Sequence, residues 1–177
     1  PGPGMDLMQV LKDALGDVNV IAEDLGFLTD GVRRLLHDSG FPGMKVIQFA
    51  FDSREESDYL PHNYEKNCVV YTGTHDNDTL CGWYKVLDPD DLKLSQKYMN
   101  NANTPKTQIH WDFIRLALAS VANLCIIPLQ DYLGLGSEAR INTPSTLGNN
   151  WRWRMKSGCL TKAFAEQIKE MTKLYGR

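Results

Sequence analysis

The sequence predicts an α/β fold built on a parallel sheet, and three observations carry that reading. Short apolar runs recur along the chain, at Val18 to Ala22, Lys45 to Phe51, Cys68 to Tyr71 and Leu124 to Pro128, each with helical patterning nearby. Alternation of this kind favours parallel pairing, because the crossover between two parallel strands needs a helix-sized connection. Second, polar residues crowd where the runs end: Glu23-Asp24 after Ala22, Asp52 after Phe51, and Gly73-Thr74-His75-Asp76-Asn77-Asp78-Thr79 after Thr72. A strand buried on both faces is apolar throughout and gathers its chemistry where it empties into a loop. Third, 42% hydrophobic and 23% charged residues are the proportions of a chain with a real core.

Taken in order, Asp6 to Leu15 reads as a helix and Val18 to Ala22 as the first strand. Thr29 caps a helix that ends near Gly40, and the second strand is Lys45 to Phe51. A polar loop from Asp52 to Asn67 leads to the strand Cys68 to Tyr71, then to helical segments at Thr79 to Val86 and Pro89 to Asn100. Asn101-Ala102-Asn103-Thr104-Pro105 breaks the pattern. Trp111 to Val121 forms a further helix, Leu124 to Pro128 the fourth strand, and Thr161 to Leu174 a closing helix. Four strand-helix passes in 177 residues fall short of the ~250 residues of a (β/α)8 barrel and amount to about half of one. In such a barrel all carboxyl ends open on one face, so Glu23 and Asp76 are expected to share a rim.

Composition narrows the function classes. A formal charge of -3 provides no basic surface for nucleic acid. No apolar run approaches the ~20 residues that span a bilayer, and Pro1 to Val10 lacks the pattern of a secretory signal, so a cytoplasmic location and no membrane partner are expected. Cys68, Cys81, Cys125 and Cys159 form no CxxC pair and are expected to be free thiols. Gly134-Leu135-Gly136 lacks the third glycine of a dinucleotide loop, and the four histidines show no HExxH spacing. No metal and no organic cofactor are expected. Asn77-Asp78-Thr79 matches a glycosylation sequon, but a glycan there would block the rim.

Each polar group also has a purely structural reading. Asp76-Asn77-Asp78 can be an Asx-rich turn with Thr79 capping a helix, and Glu23-Asp24 a solvated loop pair. His75 can serve a structural hydrogen bond. Trp83, Tyr84, Trp151 and Trp153 could stack on a ligand or fill a seam between helices and sheet; packing is the expectation, above all for Trp83 and Tyr84, which sit in a helical pattern.

Three segments, Ile21-Ala22-Glu23-Asp24-Leu25-Gly26, Gly73 to Thr79, and Ile141-Asn142-Thr143-Pro144-Ser145-Thr146-Leu147-Gly148-Asn149-Asn150-Trp151-Arg152-Trp153-Arg154, resemble in this order the last part of the amylomaltases, or 4-alpha-glucanotransferases. The resemblance extends from Pro1 to at least Arg154. It implies that residues 1–177 are the C-terminal half of a (β/α)8 TIM barrel plus a closing helix, with no second domain. It also implies a maltooligosaccharide or other alpha-glucan as partner. Glu23 matches the general acid/base, which must carry a proton to act, and Asp76 the aspartate that holds the ring hydroxyls and stabilises the transition state. His75 matches a substrate-binding histidine, Asp52 a further sugar contact, and Asn150, in Asn-Trp-x-Trp-Arg, another.

The family's nucleophilic aspartate follows an arginine in a strand ahead of the Gly-Pro-Gly segment, and no Arg-x-Asp precedes Glu23 here. Retaining chemistry needs two carboxyl groups roughly 5 Å apart, so the chain is expected to be inactive alone. The rival reading is an inert carbohydrate-binding or interaction piece. Ile141 stands where methionine is common, and Ser145 where glycine commonly follows the proline; serine resists positive φ, so a changed loop path is expected there. A half-barrel leaves strand edges open, which predicts a homodimer.

Overall fold

The computed structural model describes residues 2–16 and 18–177. Three parallel strands, β1 (Gly43–Val46), β2 (Cys68–Tyr71) and β3 (Leu124–Ile126), form one sheet in the order β1-β2-β3. Gly43 pairs with Cys68, and Val69 with Leu124. β2 is central, and Cys68, Val69 and Val70 are buried, as its unbroken apolar sequence requires.

Helices α1 (Met5–Leu15), α2 (Asp30–Ser39), α3 (Leu80–Val86), α4 (Pro89–Met99), α5 (Ile109–Leu118), α6 (Leu129–Tyr132) and α7 (Lys162–Leu174) complete the fold. Four of these starts follow sequence signals. Thr29, Thr79 and Thr161 each accept a backbone N–H from the first turn of α2, α3 and α7. Asp88 and Pro89 open α4, and left-handed Asn100 closes it.

The core centres on Phe113 of α5. Phe51, Trp83 and Tyr84 meet its ring edge-on at 5.9, 5.2 and 5.8 Å between centroids. Such pairs contribute ~0.5–1.5 kcal/mol each beyond area burial. Trp83 and Tyr84 therefore pack as the helical pattern predicts. Beyond the end of α5, the guanidinium of Arg177 donates to the carbonyls of Leu118, Ser120 and Ala122 at 2.8, 2.7 and 2.8 Å. It supplies donors that a helix terminus leaves wanting.

Two predicted strands differ. Among the described residues Val18 to Ala22 pairs as no strand: the backbone bond from Ala22 N–H to Pro42 O at 2.9 Å ties it to the edge of β1. Pro42 has no N–H to return, and the next outward donor, Met44 N–H, goes to the Asp24 carboxylate at 2.5 Å. A side chain thus occupies the edge of β1 where a ladder would run. The second strand begins earlier and ends sooner than Lys45 to Phe51, because Ile47–Phe49 coils into a 3-10 turn that delivers Phe51 to the core. The fourth predicted strand stops at Ile126, since Pro128 caps α6. The sheet therefore has three strands where four were expected.

The expectation of free thiols holds. The four cysteines are free. Among the described residues no helix is long and apolar enough to cross a membrane, and no group of three or more His, Cys, Asp or Glu is placed to hold a metal ion. Ser145, however, adopts φ 62 despite its side chain, so the loop keeps the left-handed turn that serine was expected to resist.

Candidate active site at the carboxyl ends of the strands

The loops leaving β1 and β2, with the segment before β1, surround a cleft of about 1470 Å³. Glu23, Asp52, His75 and Asp76 all line it, as do Gln48, Tyr71 and Trp83. The strands are parallel, so their chain-terminal ends point one way and these residues gather on one rim. Asn150 does not line the cleft. Its amide is spent on the loop itself, accepting from Thr143 N–H at 3.0 Å and donating to the Thr146 hydroxyl at 3.1 Å and carbonyl at 3.1 Å.

Glu23 is solvent-exposed, and its backbone is held from both sides, by Ala22 on Pro42 and by Asp24 on Met44. Gly43 makes this possible: a Cβ there would lie 2.6 Å from an oxygen of the Asp24 carboxylate. Asp52 is gripped by Arg54, whose Nε, Nη2 and backbone N–H donate at 2.8, 2.6 and 3.0 Å. The side-chain bond foremost, and the backbone bond next, hold the Asp52 carboxyl down to about 2. It stays an anion on the rim throughout the physiological range.

Asp76 is fixed by a segment far along the chain. Asn142 Nδ2 donates to Asp76 Oδ1 at 2.6 Å, Arg140 Nη2 donates to the Asp76 carbonyl at 2.7 Å, and Asn142 N–H donates to the His75 carbonyl at 3.1 Å. His75 Nε2 lies 3.3 Å from the same Asp76 oxygen, and its ring sits 5.1 Å from that of Trp151. The turn reading is also correct for its neighbours: Asn77 Oδ1 accepts from Thr74 N–H at 2.9 Å, and Thr79 caps α3. Asp76 is the member of the motif whose carboxylate leaves the turn and faces the cleft.

Beneath this loop lies a carboxylate that the sequence reading passed over. Asp131 in α6 is 2% exposed and accepts from the Thr72 hydroxyl at 2.6 Å and from Leu80 N–H at 2.8 Å. Burial pushes its carboxyl up to about 6, with those two bonds pulling the other way and Asp78 adding to the push. The rule that singled out Glu23, Asp52 and Asp76, acid just past an apolar run, also applies beyond Leu124 to Pro128 and would have found Gln130-Asp131. Asn142 and Arg140 carried no such local signal; only tertiary contact brings them to Asp76.

Parallel strands with helical crossovers, and a carboxylate-lined cleft where the strands end, define the class: an α/β protein with its candidate site on the carboxyl face of the sheet. The sequence profile of the family described as 4-alpha-glucanotransferase matches residues 1–161. A 4-alpha-glucanotransferase of Clostridium butyricum is 49% identical over 99% of this chain, and one of Synechocystis is 48% identical over 100% of it. An amylomaltase from Streptococcus agalactiae, solved in complex with acarbose, superposes with a TM-score of 0.92 at 38% identity over 100% of this chain. The chain belongs to the 4-alpha-glucanotransferase family. It spans about a third of the length of these relatives: 36%, 35% and 36% respectively.

Proposed function

We propose that the protein of which these residues form the C-terminal part of a (β/α)8 barrel, without a second domain in this stretch, transfers alpha-1,4-glucan segments between maltooligosaccharides by a retaining double displacement. The observation that carries this is the convergence of Glu23, Asp52, His75 and Asp76 on one cleft. Glu23, exposed and anchored on both sides, has the access a general acid needs to protonate the departing glycosidic oxygen and later to deprotonate the acceptor hydroxyl. Asp76, oriented by Asn142 with one oxygen committed, presents the other to sugar hydroxyls, and His75 beside it offers a ring nitrogen to the same sugar. Asp52, permanently ionised, suits a further hydroxyl contact. Asn150, turned into its own loop, would reach sugar only by shaping that loop.

The second carboxylate that double displacement requires, ~5 Å from the acid, is supplied by no arginine-flanked aspartate ahead of Glu23 in this chain. Residues 1–177 by themselves therefore bind alpha-glucan without turning it over, in a cytoplasm that suits four free thiols. Half-exposed Leu124 on β3 gives two copies of the isolated chain an apolar edge on which to associate.

The test is chain-length redistribution from maltotriose, run on this chain and on a version extended upstream to the relatives' length. Transfer by the extended protein only, abolished ~10²–10⁴-fold by Glu23→Gln, is the expected result. Activity in neither, with acarbose still bound, would leave a binding module. Sedimentation of the isolated chain as a monomer at high concentration would remove the edge pairing.

A further inference from the structure

Asp131 stands outside the roles assigned so far, yet it touches both ends of the loop that carries His75 and Asp76. Its Oδ2 accepts from the hydroxyl of Thr72, the first residue after β2, at 2.6 Å. Its Oδ1 accepts from the N–H of Leu80, the first residue of α3, at 2.8 Å. Thr72 and Leu80 are themselves fully buried. One side chain thus spans the entry and the exit of residues 73–79. Other contacts hold single points of this loop: Gln48 Nε2 donates to the Asp78 carbonyl at 2.7 Å, and Ser137 Oγ to the Asp78 carboxylate at 2.6 Å.

Burying a carboxylate costs several kcal/mol unless its lone pairs are met, and an apolar residue would fill the same space more cheaply. What the carboxylate adds is geometry: two acceptors a fixed distance apart, which set the separation of strand end and helix start. A displacement of about 1 Å at a reacting centre can cost on the order of a hundredfold in rate.

We infer that Asp131 is a positioning residue for the His75–Asp76 pair, clamping both ends of their loop so that the Asp76 carboxylate meets the sugar in a fixed place. The inference rests on the reading of Asp76 as a sugar-holding carboxylate. Asparagine can keep the clamp, because its carbonyl accepts from Leu80 N–H while its amide donates to the Thr72 hydroxyl. Alanine cannot.

Three variants test it. In the 177-residue chain, Asp131→Ala speeds exchange of the Leu80 amide by about tenfold or more and moves the NMR titration of the His75 ring; Asp131→Asn restores both. In the upstream-extended protein, Asp131→Ala lowers kcat on maltotriose about a hundredfold with KM changed far less, and Asp131→Asn recovers most of it. Should the alanine variant not fold, Thr72→Val removes one of the two bonds in nearly the same volume and shows the same changes in smaller measure. Unchanged Leu80 exchange and His75 titration in Asp131→Ala, or a lowered Tm with kcat intact where the variant is folded, would overturn the inference and leave Asp131 a structural acid. If the extended wild type transfers no glucan, the proposed activity fails instead, and the exchange and titration still decide the clamp.

Discussion

Asn142 and Asp76, 66 residues apart, are joined by a side-chain bond of 2.6 Å from Nδ2 to Oδ1. With Arg140 on the Asp76 carbonyl and Asn142 N–H on the His75 carbonyl, the stretch 140–142 fixes backbone and carboxylate together. A neutral donor suits this place: it orients Asp76 without altering the charge of the cleft.

Asn142→Asp would set a second carboxylate against Asp76, and two such groups cannot both ionise readily. The expected outcome in the extended protein is a loss of transfer of about tenfold or more, with the acid limb of the kcat/KM profile moved to higher pH. Asn142→Ala, which removes a hydrogen bond to the carboxylate without adding charge, loses activity with a much smaller displacement of that limb. The pH profiles of the two variants distinguish orientation from charge.

Gly43 admits the Asp24 carboxylate to the edge of β1, and a Cβ would come within 2.6 Å of it. Gly43→Ala must push Asp24 away and leave Met44 N–H without its acceptor. A destabilisation of about 1–3 kcal/mol is expected, read as a lower urea midpoint at unchanged slope. The same variant frees the backbone on which Glu23 rides, so activity in the extended protein should fall further than stability alone explains.

Ser145 holds φ 62, a conformation that costs an L-residue about 1–2 kcal/mol. Ser145→Gly relieves this but loosens the unfolded chain. A net gain of up to about 1 kcal/mol in unfolding free energy is the expected balance. Unchanged or lower stability would mean that the serine side chain repays its strain.

His110 is buried, and its Nδ1 has no partner among the described residues. Its ring closes on Gly134, where a Cβ would lie 2.8 Å from Cε1. Burial lowers its affinity for a proton, with Asp112 opposing. The unfolded chain then binds that proton more strongly, so this contribution to stability is full above the ordinary histidine value of ~6.5 and is lost as pH falls. Asp131, raised to about 6, acts in the opposite sense: its contribution is present below its ordinary 3.8 and is lost as pH rises through about 6. His110→Gln isolates the first effect, and its unfolding free energy should decline less than that of wild type between about pH 7.5 and about pH 5.

What could be read from sequence was local. The cap residues Thr29, Thr79 and Thr161 and the apolar run of β2 act through their immediate neighbours, and all lie where the pattern places them. Val18 to Ala22 misled because strand propensity says nothing of pairing; a proline and a carboxylate on the facing edge take the places a ladder would use. The rim acids Glu23, Asp52 and Asp76 stand out in the sequence because each follows an apolar run. Asn142 and Arg140 do not, because their meaning lies in a contact made across more than sixty residues. Asn150 belongs to a recognisable motif, and its hydrogen bonds are turned inward to its own loop.

The indole of Trp151, itself in a left-handed backbone conformation at φ 64, rests against the imidazole of His75. Of the other indoles, Trp111 packs against the ring of His110 at 5.3 Å and Trp83 against that of Phe113 at 5.2 Å. The emission that Trp151→Phe removes is therefore an intrinsic signal from the rim of the cleft, and its change as a ligand enters is expected to report occupancy of the site.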